Sequence, residues 1–211
     1  MSFLSELKFD EKGLLPTIVQ DYKTNEVLML AYSNAESVEL TLSKKLVHFY
    51  SRSRSQLWLK GETSGNFLRL VKMSCDCDKD TLLISADPAG PACHTGSVSC
   101  FYSTVYENEQ YEKFDPGMLV KLYEIVRERK SNPKEGSYTN YLFDSGIDKI
   151  LKKVGEESAE TIIAAKNNSK EEIVYETSDL LYHLTVLLNH SGVELEEILR
   201  ALEERHNGQE S

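Results

Sequence analysis

The sequence predicts an α+β protein: an N-terminal, mainly antiparallel β domain with one helix, then an all-α helical bundle. Two observations carry this. Short runs rich in β-branched and aromatic residues, broken by Gly, Pro, Asn or Asp, fill the first half. Helical periodicity takes over after a polar stretch, "ENEQYEKFDPG" (107–117). With 211 residues the chain suits two small domains. Their boundary is expected within 107–114, giving domains of 1–110 and 111–211.

The expected strands, in order, are "LLPTIVQD", "EVLMLAYS", "LVHFYSRS", "QLWLKGE", "NFLRLVKMS", "TLLISAD" and "SCFYSTVY" (99–106). A helix follows the second, from Asn34, a good N-cap, to about residue 44. In the second half, helices are expected over about 116–130, 145–167, 170–190 and 194–205. Asp115 and Pro116 make a cap and first helical residue, and Ser169 with Glu172 a capping box. Gly192 suits the break before the last helix.

Hydrophobic residues at 40% supply a core, and the formal net charge is -10. So acidic a chain is a poor general binder of nucleic acid polymers, whose affinity comes from Lys and Arg. A phosphate-bearing substrate would need local cations. The N-terminus lacks the pattern of an export signal, and no apolar stretch nears the roughly 20 residues of a membrane span. Four cysteines in that context suggest a reducing cytoplasm and metal binding or reactivity rather than disulfides.

"SCDCDKDTLL" (74–83) crowds Asp76, Asp78 and Asp80 around Cys77. Like charges so close imply a cation among them. On a strand, Asp76 and Asp78 would share one face and Cys75 and Cys77 the other. Asp80 would lie roughly 13 Å from Asp76 unless the chain bends near Lys79. Oxygen ligands favour Mg²⁺ or a similar hard ion, and thiolates favour zinc. Cys93 and Cys100, in "GPACHTGSVSCF", could join such a site. Three thiolates with an open fourth position would suit a catalytic zinc, where bound water loses its proton near neutral pH. Buried small hydrophobes and a solvated turn are the plainer alternative. His94 could be a ligand, a proton shuttle or a structural histidine.

"YSRSRSQLWLKGETSGN" (50–66) gathers Arg52, Arg54 and Lys60 with Thr63 and Ser64, and glycines that permit close backbone approach. It reads either as a phosphate cradle or as an exposed hairpin. Arg52 and Arg54 would share a strand face. Trp58 could cover a base or belong to the core.

These three motifs resemble the phosphoribosyl-AMP cyclohydrolase family of histidine biosynthesis, over about residues 10–106. The resemblance implies Mg²⁺ at Asp76, Asp78 and Asp80, and zinc at Cys77, Cys93 and Cys100. It also implies a homodimer whose zinc site is shared between chains. Cys75 lies outside the pattern. Zinc-activated water would attack C6 of the adenine ring, with His94 as proton carrier.

In the second half, "KILKKVGEESAETIIAAK" (149–166) places Lys149, Lys153, Glu156 and Glu160 on one helix face, Glu157 on its flank. Ile147, Ile150, Leu151, Val154, Ile162 and Ala165 fall opposite. The next helix carries Glu176, Asp179 and His183 on one stripe, and from Leu180 to Leu188 it is apolar nearly all round, so burial is expected. Acids on two facing helices suggest a Mg²⁺ site between them. A solvated face is the plainer reading of the glutamates alone. The pattern E-E-x-x-E…E-x-x-D resembles the all-α NTP pyrophosphatases. "RKSNPKEGSYTNYLFDSGIDKILKKVGEESAE" and "ETSDLLYHLTVLL" narrow the resemblance to phosphoribosyl-ATP pyrophosphatase, over about residues 115–206. It implies Mg²⁺ at Glu156, Glu157, Glu160 and Asp179, with Glu176 a further candidate. Arg129, Lys130, Lys149 and Lys153 are candidate phosphate contacts.

The domain order is that of a bifunctional family. It implies phosphoribosyl nucleotides as substrates, with pyrophosphate release from phosphoribosyl-ATP followed by opening of the adenine ring at N1–C6. Two rivals stay open at this point. One is a structural-zinc module joined to a helical dimerisation domain. The other is a general nucleotide-pool pyrophosphatase in the helical half.

Overall fold

A computed structural model describes residues 3–111 and 114–208. The chain forms two compact units, Met1–Gly117 and Met118–Ser211. Residues 112 and 113, at the end of the expected boundary, lie outside the described residues.

In the first unit, β1 (Leu15–Asp21), β2 (Val27–Ser33), β5 (Leu68–Cys75) and β6 (Leu82–Pro88) form a sheet in the order β2-β1-β6-β5. β1 pairs antiparallel with β2 and parallel with β6, and β5 pairs antiparallel with β6. β3 (His48–Ser51) and β4 (Gln56–Leu59) make a separate antiparallel hairpin. Alternation in "LPTIVQD" buries Leu15, Thr17 and Val19 on one face. The Thr17 hydroxyl donates to Ser33 Oγ at 2.7 Å, satisfying a buried polar group.

Helix α1 (Ala35–Lys44) starts where Asn34 predicts. Asn34 Oδ1 accepts from the Ser37 amide at 2.8 Å, and Ser37 Oγ accepts from the Asn34 amide at 3.0 Å. Val38 of α1 packs with Leu7, Leu15 and Leu82, while Val19, Leu28, Phe49, Leu68 and Ile84 fill the main core.

One expected strand is absent. Residues 99–106 meet β2 through two donors: the Ser99 hydroxyl to Val27 O at 2.7 Å and the Cys100 amide to Leu28 O at 2.8 Å. Phe101, Tyr102, Val105 and Tyr106 are then exposed, with no ladder to hold a strand.

The second unit comprises α2 (Met118–Ser131), α3 (Tyr138–Ser145), α4 (Ile147–Lys166), α5 (Lys170–Ser191) and α6 (Leu195–Asn207). Val126, Leu142, Ile150 and Val186 form its core, and α4 and α5 share the most extensive helix contact. Helix α3 was not expected. It is short, is capped by Ser137, and is separated from α4 by Gly146, whose φ of 81° breaks the helix. Asp115 accepts from the Gly117 amide at 2.9 Å in a turn, so α2 begins two residues later than predicted. Ser169 precedes α5 without a side-chain cap bond, so the expected capping box does not form. Gly192 caps α5 with φ 69°, as expected.

The faces of α4 and α5 also differ from expectation. Ile150, Glu157 and Ala164 are the buried positions of α4, whereas Ile147, Leu151 and Ile162 are exposed. Ile150, Glu157 and Ala164 are seven residues apart, which brings them to one stripe with an acid at its centre. In α5 the buried residues are His183, Thr185, Val186 and Asn189, while Leu181 is exposed. Asn189 explains part of this: its Nδ2 donates to Thr185 O at 3.0 Å, and its carbonyl accepts from Lys130 Nζ at 2.6 Å. Among the described residues no helix is long and apolar enough to cross a membrane.

Candidate metal and nucleotide sites

The acidic motif of the first unit lies on a turn. β5 ends at Cys75, and Lys79 adopts a left-handed φ of 66° that supplies the expected bend. Asp76, Asp78 and Asp80 each offer an oxygen, all within 4.8 Å of one another. Asp76 Oδ1 accepts from the amides of Asp80 and Thr81, each at 3.1 Å, and Asp80 Oδ1 accepts from Thr81 Oγ1 at 3.1 Å. Partial desolvation pushes the Asp76 carboxyl up. Hydrogen bonds from the Thr81 and Asp80 amides and the two neighbouring aspartates outweigh it and leave the group below its usual range. Lys79 turns away to an ion pair with Glu6. The motif is therefore a ring of carboxyl oxygens, a donor set suited to a hard divalent cation.

A cavity of about 410 Å³ lies beside Cys93 and Cys100, with Arg54, Trp58, Lys60, Thr63, Ser64 and His94 among its lining residues. The segment from Lys60 to Asn66 forms its rim. Gly61 has φ 94°, and a Cβ there would stand 2.6 Å from the Asn66 backbone, so only glycine permits this close approach. Asn66 Nδ2 then donates to Pro91 O at 3.0 Å, tying the rim to the loop that carries Cys93. Cys93 is buried and accepts from Thr95 Oγ1 at 3.1 Å. Bonds from the Thr95 hydroxyl and amide favour its thiolate and hold its pKa down. Burial, then the neighbouring Cys93 sulfur, pushes Cys100 up. Lys60 is buried, which lowers its pKa, although Cys100 and Cys93 draw it back toward the charged form. His94 is exposed, its Nδ1 3.9 Å from Cys93 Sγ.

Cys93 and Cys100 thus line one cavity and influence each other's ionisation. Cys77 sits with the acids on the turn after β5. Among the described residues it forms no three-ligand group with the other two cysteines. Two thiols from one chain leave a tetrahedral zinc set short of a ligand. Arg52 and Arg54 lie on the β3–β4 turn rather than on a strand face. Arg52 stacks 3.6 Å above the Tyr32 ring, and Arg54 Nε donates to Ser51 Oγ at 3.4 Å. Trp58 packs on Phe49 at 5.1 Å while lining the cavity, so it serves core and site together.

In the second unit, Glu157 of α4 meets Glu176 and Asp179 of α5, with an oxygen of each within 4.8 Å of the others. Glu157 is only 4% exposed, which makes an isolated carboxylate costly. Lys153 Nζ donates to it at 3.1 Å, and His183 Nδ1 lies 3.7 Å away. Burial pushes the Glu176 carboxyl up, and so do the charges of Glu160, Glu157 and Asp179. Such mutual repulsion is what a shared cation relieves. Glu160 lies near this group, whereas Glu156 turns to Lys153 at 3.0 Å and Lys152 at 3.3 Å. The structure therefore brings Glu176 fully into the cluster and sets Glu156 at its edge.

The remaining cations are divided. Arg129 pairs with Glu128 at 2.7 Å, and Lys130 is tied to Asn189 O, so both brace α2. Lys149 Nζ lies 5.8 Å from the Tyr141 ring, on the same helix as Lys153. Sequence reasoning gave His183 no role and passed over Tyr138 and Tyr141. Their signal was the run "GSYTNYLF", whose value depends on α3, which was not expected.

Residues 29–102 match the phosphoribosyl-AMP cyclohydrolase family, and residues 119–206 the phosphoribosyl-ATP pyrophosphohydrolase family. Full-length relatives share both parts. The chain is 58% identical over 203 residues to a histidine biosynthesis bifunctional protein HisIE of Caldanaerobacter subterraneus subsp. tengcongensis, covering 96% of this chain and 98% of that one. It is 51% identical over 207 residues to the protein of that name from Bacillus subtilis, covering 98% of each. The Thermus thermophilus protein of that name is 46% identical over 204 residues, covering 96% and 94%.

Proposed function

The chain belongs to the bifunctional histidine-biosynthesis family that joins these two hydrolases, and from that premise we propose which residues perform each step. It is a phosphoribosyl-AMP cyclohydrolase and phosphoribosyl-ATP pyrophosphohydrolase. We assign ring opening to residues 1–110 and pyrophosphate release to residues 111–211. One observation carries the assignment: each compact unit has its own cluster of metal-competent acids.

For pyrophosphate release, Glu157, Glu160, Glu176 and Asp179 would hold Mg²⁺, with Glu156 at the edge of the set. An ion held by these residues would supply charge neutralisation for the triphosphate and a centre to orient the attacking water. Lys153 Nζ, 3.1 Å from Glu157 Oε1, gives the buried carboxyl a cationic partner. Lys149 draws phosphate toward the cluster, and Arg129 and Lys130 keep structural roles.

For ring opening, Cys77, Cys93 and Cys100 would hold zinc, which activates water for attack on C6. Asp76, Asp78 and Asp80 would hold Mg²⁺. Cys77 stands apart from the other thiols in one chain, which supports a zinc site completed by a partner copy in a homodimer. Arg54, Lys60, Thr63 and Ser64 form a cationic, hydroxyl-bearing lining for the substrate phosphates, and Trp58 offers a face for its base; Arg52, held on the Tyr32 ring, is not part of that lining. His94, exposed beside Cys93, carries protons to and from the ring. Chemistry that depends on reduced thiolates suits the cytoplasm.

The test supplies phosphoribosyl-ATP with Mg²⁺ and Zn²⁺ and follows pyrophosphate and ring-opened product together. Glu176→Gln should stop the first and leave ring opening of supplied phosphoribosyl-AMP intact. Cys93→Ala should do the reverse. Loss of both activities in either folded variant would refute the separation of sites.

A further inference from the structure

The second unit has a cavity of about 580 Å³ within residues 133–144, a size typical of small-molecule sites. None of the assignments above uses it. Tyr138 and Tyr141 line it, their rings stacked at 6.0 Å and each about half exposed. Lys134 lines it as well, and Lys149 approaches the Tyr141 ring.

This cavity is linked to the acidic cluster through one buried imidazole. His183 is 4% exposed. Its Nδ1 lies 2.8 Å from Asp179 O and 3.7 Å from Glu157 Oε1. The Asp179 carbonyl, the acceptor within hydrogen-bonding distance, assigns the proton of the neutral ring to Nδ1. Nε2 is then left to accept from the Tyr138 hydroxyl, 3.4 Å away. Thus the cavity's aromatic wall and a carboxylate of the proposed metal group are held by the same side chain.

Phosphoribosyl-ATP has two unlike ends. The triphosphate belongs with the cation; the other end is an adenine ring bearing a ribosyl phosphate. A base needs a π-face, which tyrosine supplies at small entropic cost. Its ribosyl phosphate needs a cation, which Lys134 of the lining supplies. Glu135 and Asp144 also line the cavity, so it is a poor seat for the triphosphate itself.

We propose that the cavity of residues 133–144 receives the base and ribosyl phosphate of phosphoribosyl-ATP, with Tyr138 and Tyr141 contacting the base. His183 is a positioning residue that fixes Tyr138 relative to Glu157. This rests on assigning pyrophosphate release to Glu157, Glu176 and Asp179. It accounts for discrimination against ordinary triphosphates, which lack the second ribosyl phosphate.

The experiment measures pyrophosphate release by the full chain with Mg²⁺ and phosphoribosyl-ATP. Tyr141→Ala and Tyr138→Ala should raise KM roughly tenfold, the scale of one lost base–aromatic stack. The kcat should change little, because the lost contact is made equally in ground and transition states. Tyr138→Phe keeps the ring and should retain most of the affinity. Thermal melting checks that each variant folds, and Tyr141, half exposed, gives the answer if Tyr138→Ala does not. An unchanged KM in folded Tyr141→Ala, with Glu176→Gln inactive, overturns the cavity proposal alone. Full pyrophosphate release by Glu176→Gln overturns the site assignment, and this proposal with it.

Discussion

The two acidic clusters solve one electrostatic problem in opposite ways. Asp76, Asp78 and Asp80 are exposed on a turn, where the amides of Asp80 and Thr81 bond to Asp76. Glu157, Glu176 and Asp179 sit on two packed helices, one of them almost wholly buried, with Lys153 as the cation bonded to Glu157. Exposed charges interact weakly and are screened by salt, whereas buried ones are strong and costly to leave unpaired. The turn thus exposes its charges to water, while the helix pair holds acids in mutual repulsion that Lys153 offsets only in part. Replacing an acid should cost mainly activity at the turn, but both activity and stability between the helices.

The sharpest break in that comparison comes from Glu157→Gln or Asp179→Asn. An amide is a poorer Mg²⁺ ligand than a carboxylate. Loss of groups that merely support a metal ligand costs 10–100-fold, so loss of a ligand should reduce pyrophosphate release by roughly 100-fold or more. Ring opening of supplied phosphoribosyl-AMP should be normal. Near-normal pyrophosphate release at saturating Mg²⁺ from either folded variant would return these acids to a purely structural role.

A second test concerns the incomplete thiol set. Cys77→Ala and Cys93→Ala proteins should each be inactive in ring opening. If zinc is shared between two chains, subunit exchange gives mixed dimers with one intact site. Random exchange makes roughly half the dimers mixed, so about a quarter of wild-type activity should return. No recovery after demonstrated exchange would place all three thiolates in one chain. Pyrophosphate release should be unaffected throughout.

How much was legible in the sequence follows the same division. The turn site announced itself, because three acids and a thiol adjacent in sequence are adjacent in space wherever the chain bends. Even the bend at Lys79 could be inferred. The helix site was harder, since its members come from two elements and only helical phase relates them. Glu157 was placed on the flank of the polar face, yet the Ile150–Glu157–Ala164 stripe is the buried one. Apolar residues were counted as core, but exposed Ile147, Leu151 and Ile162 show that count to be misleading here. Tyr138 and Tyr141 were illegible because α3 is eight residues long and rich in residues that do not favour helices. What holds it is local: Ser137 at its start, Asn140 Nδ2 donating to Arg129 O at 2.6 Å, and Leu142 in the core. The expected strand at 99–106 failed for the converse reason. Its composition is that of a strand, but beyond Cys100 it has no neighbouring ladder.

If the two clusters are independent, cutting the chain within 108–113 should leave both activities. Each unit has its own core, and the two domains match separate families. Each fragment should perform its own step at a rate near that of the whole chain. Two folded fragments without activity would show that the sites depend on each other.

The smallest expected effect tests whether the helical unit has other buried groups whose charge is suppressed by their surroundings. Tyr123 of α2 is buried, and its hydroxyl donates to Val193 O at 3.0 Å and Glu194 Oε2 at 3.2 Å. Burial, then the Glu194 carboxylate, pushes its pKa up to about 12 from an ordinary value of 10.0. The folded state therefore holds this proton more tightly than the unfolded one. The stabilisation is fully present below pH 10 and is lost as pH rises toward 12. A shift of this size is worth on the order of 2 kcal/mol. Denaturant unfolding of the helical unit should show that decline between pH 10 and 12, and Tyr123→Phe should remove the part due to this hydroxyl. Arg127 pairs with the same Glu194 carboxylate at 3.5 Å. The same alkaline slope in wild type and Tyr123→Phe would mean that this hydroxyl ionises as readily in the folded protein as in the unfolded chain.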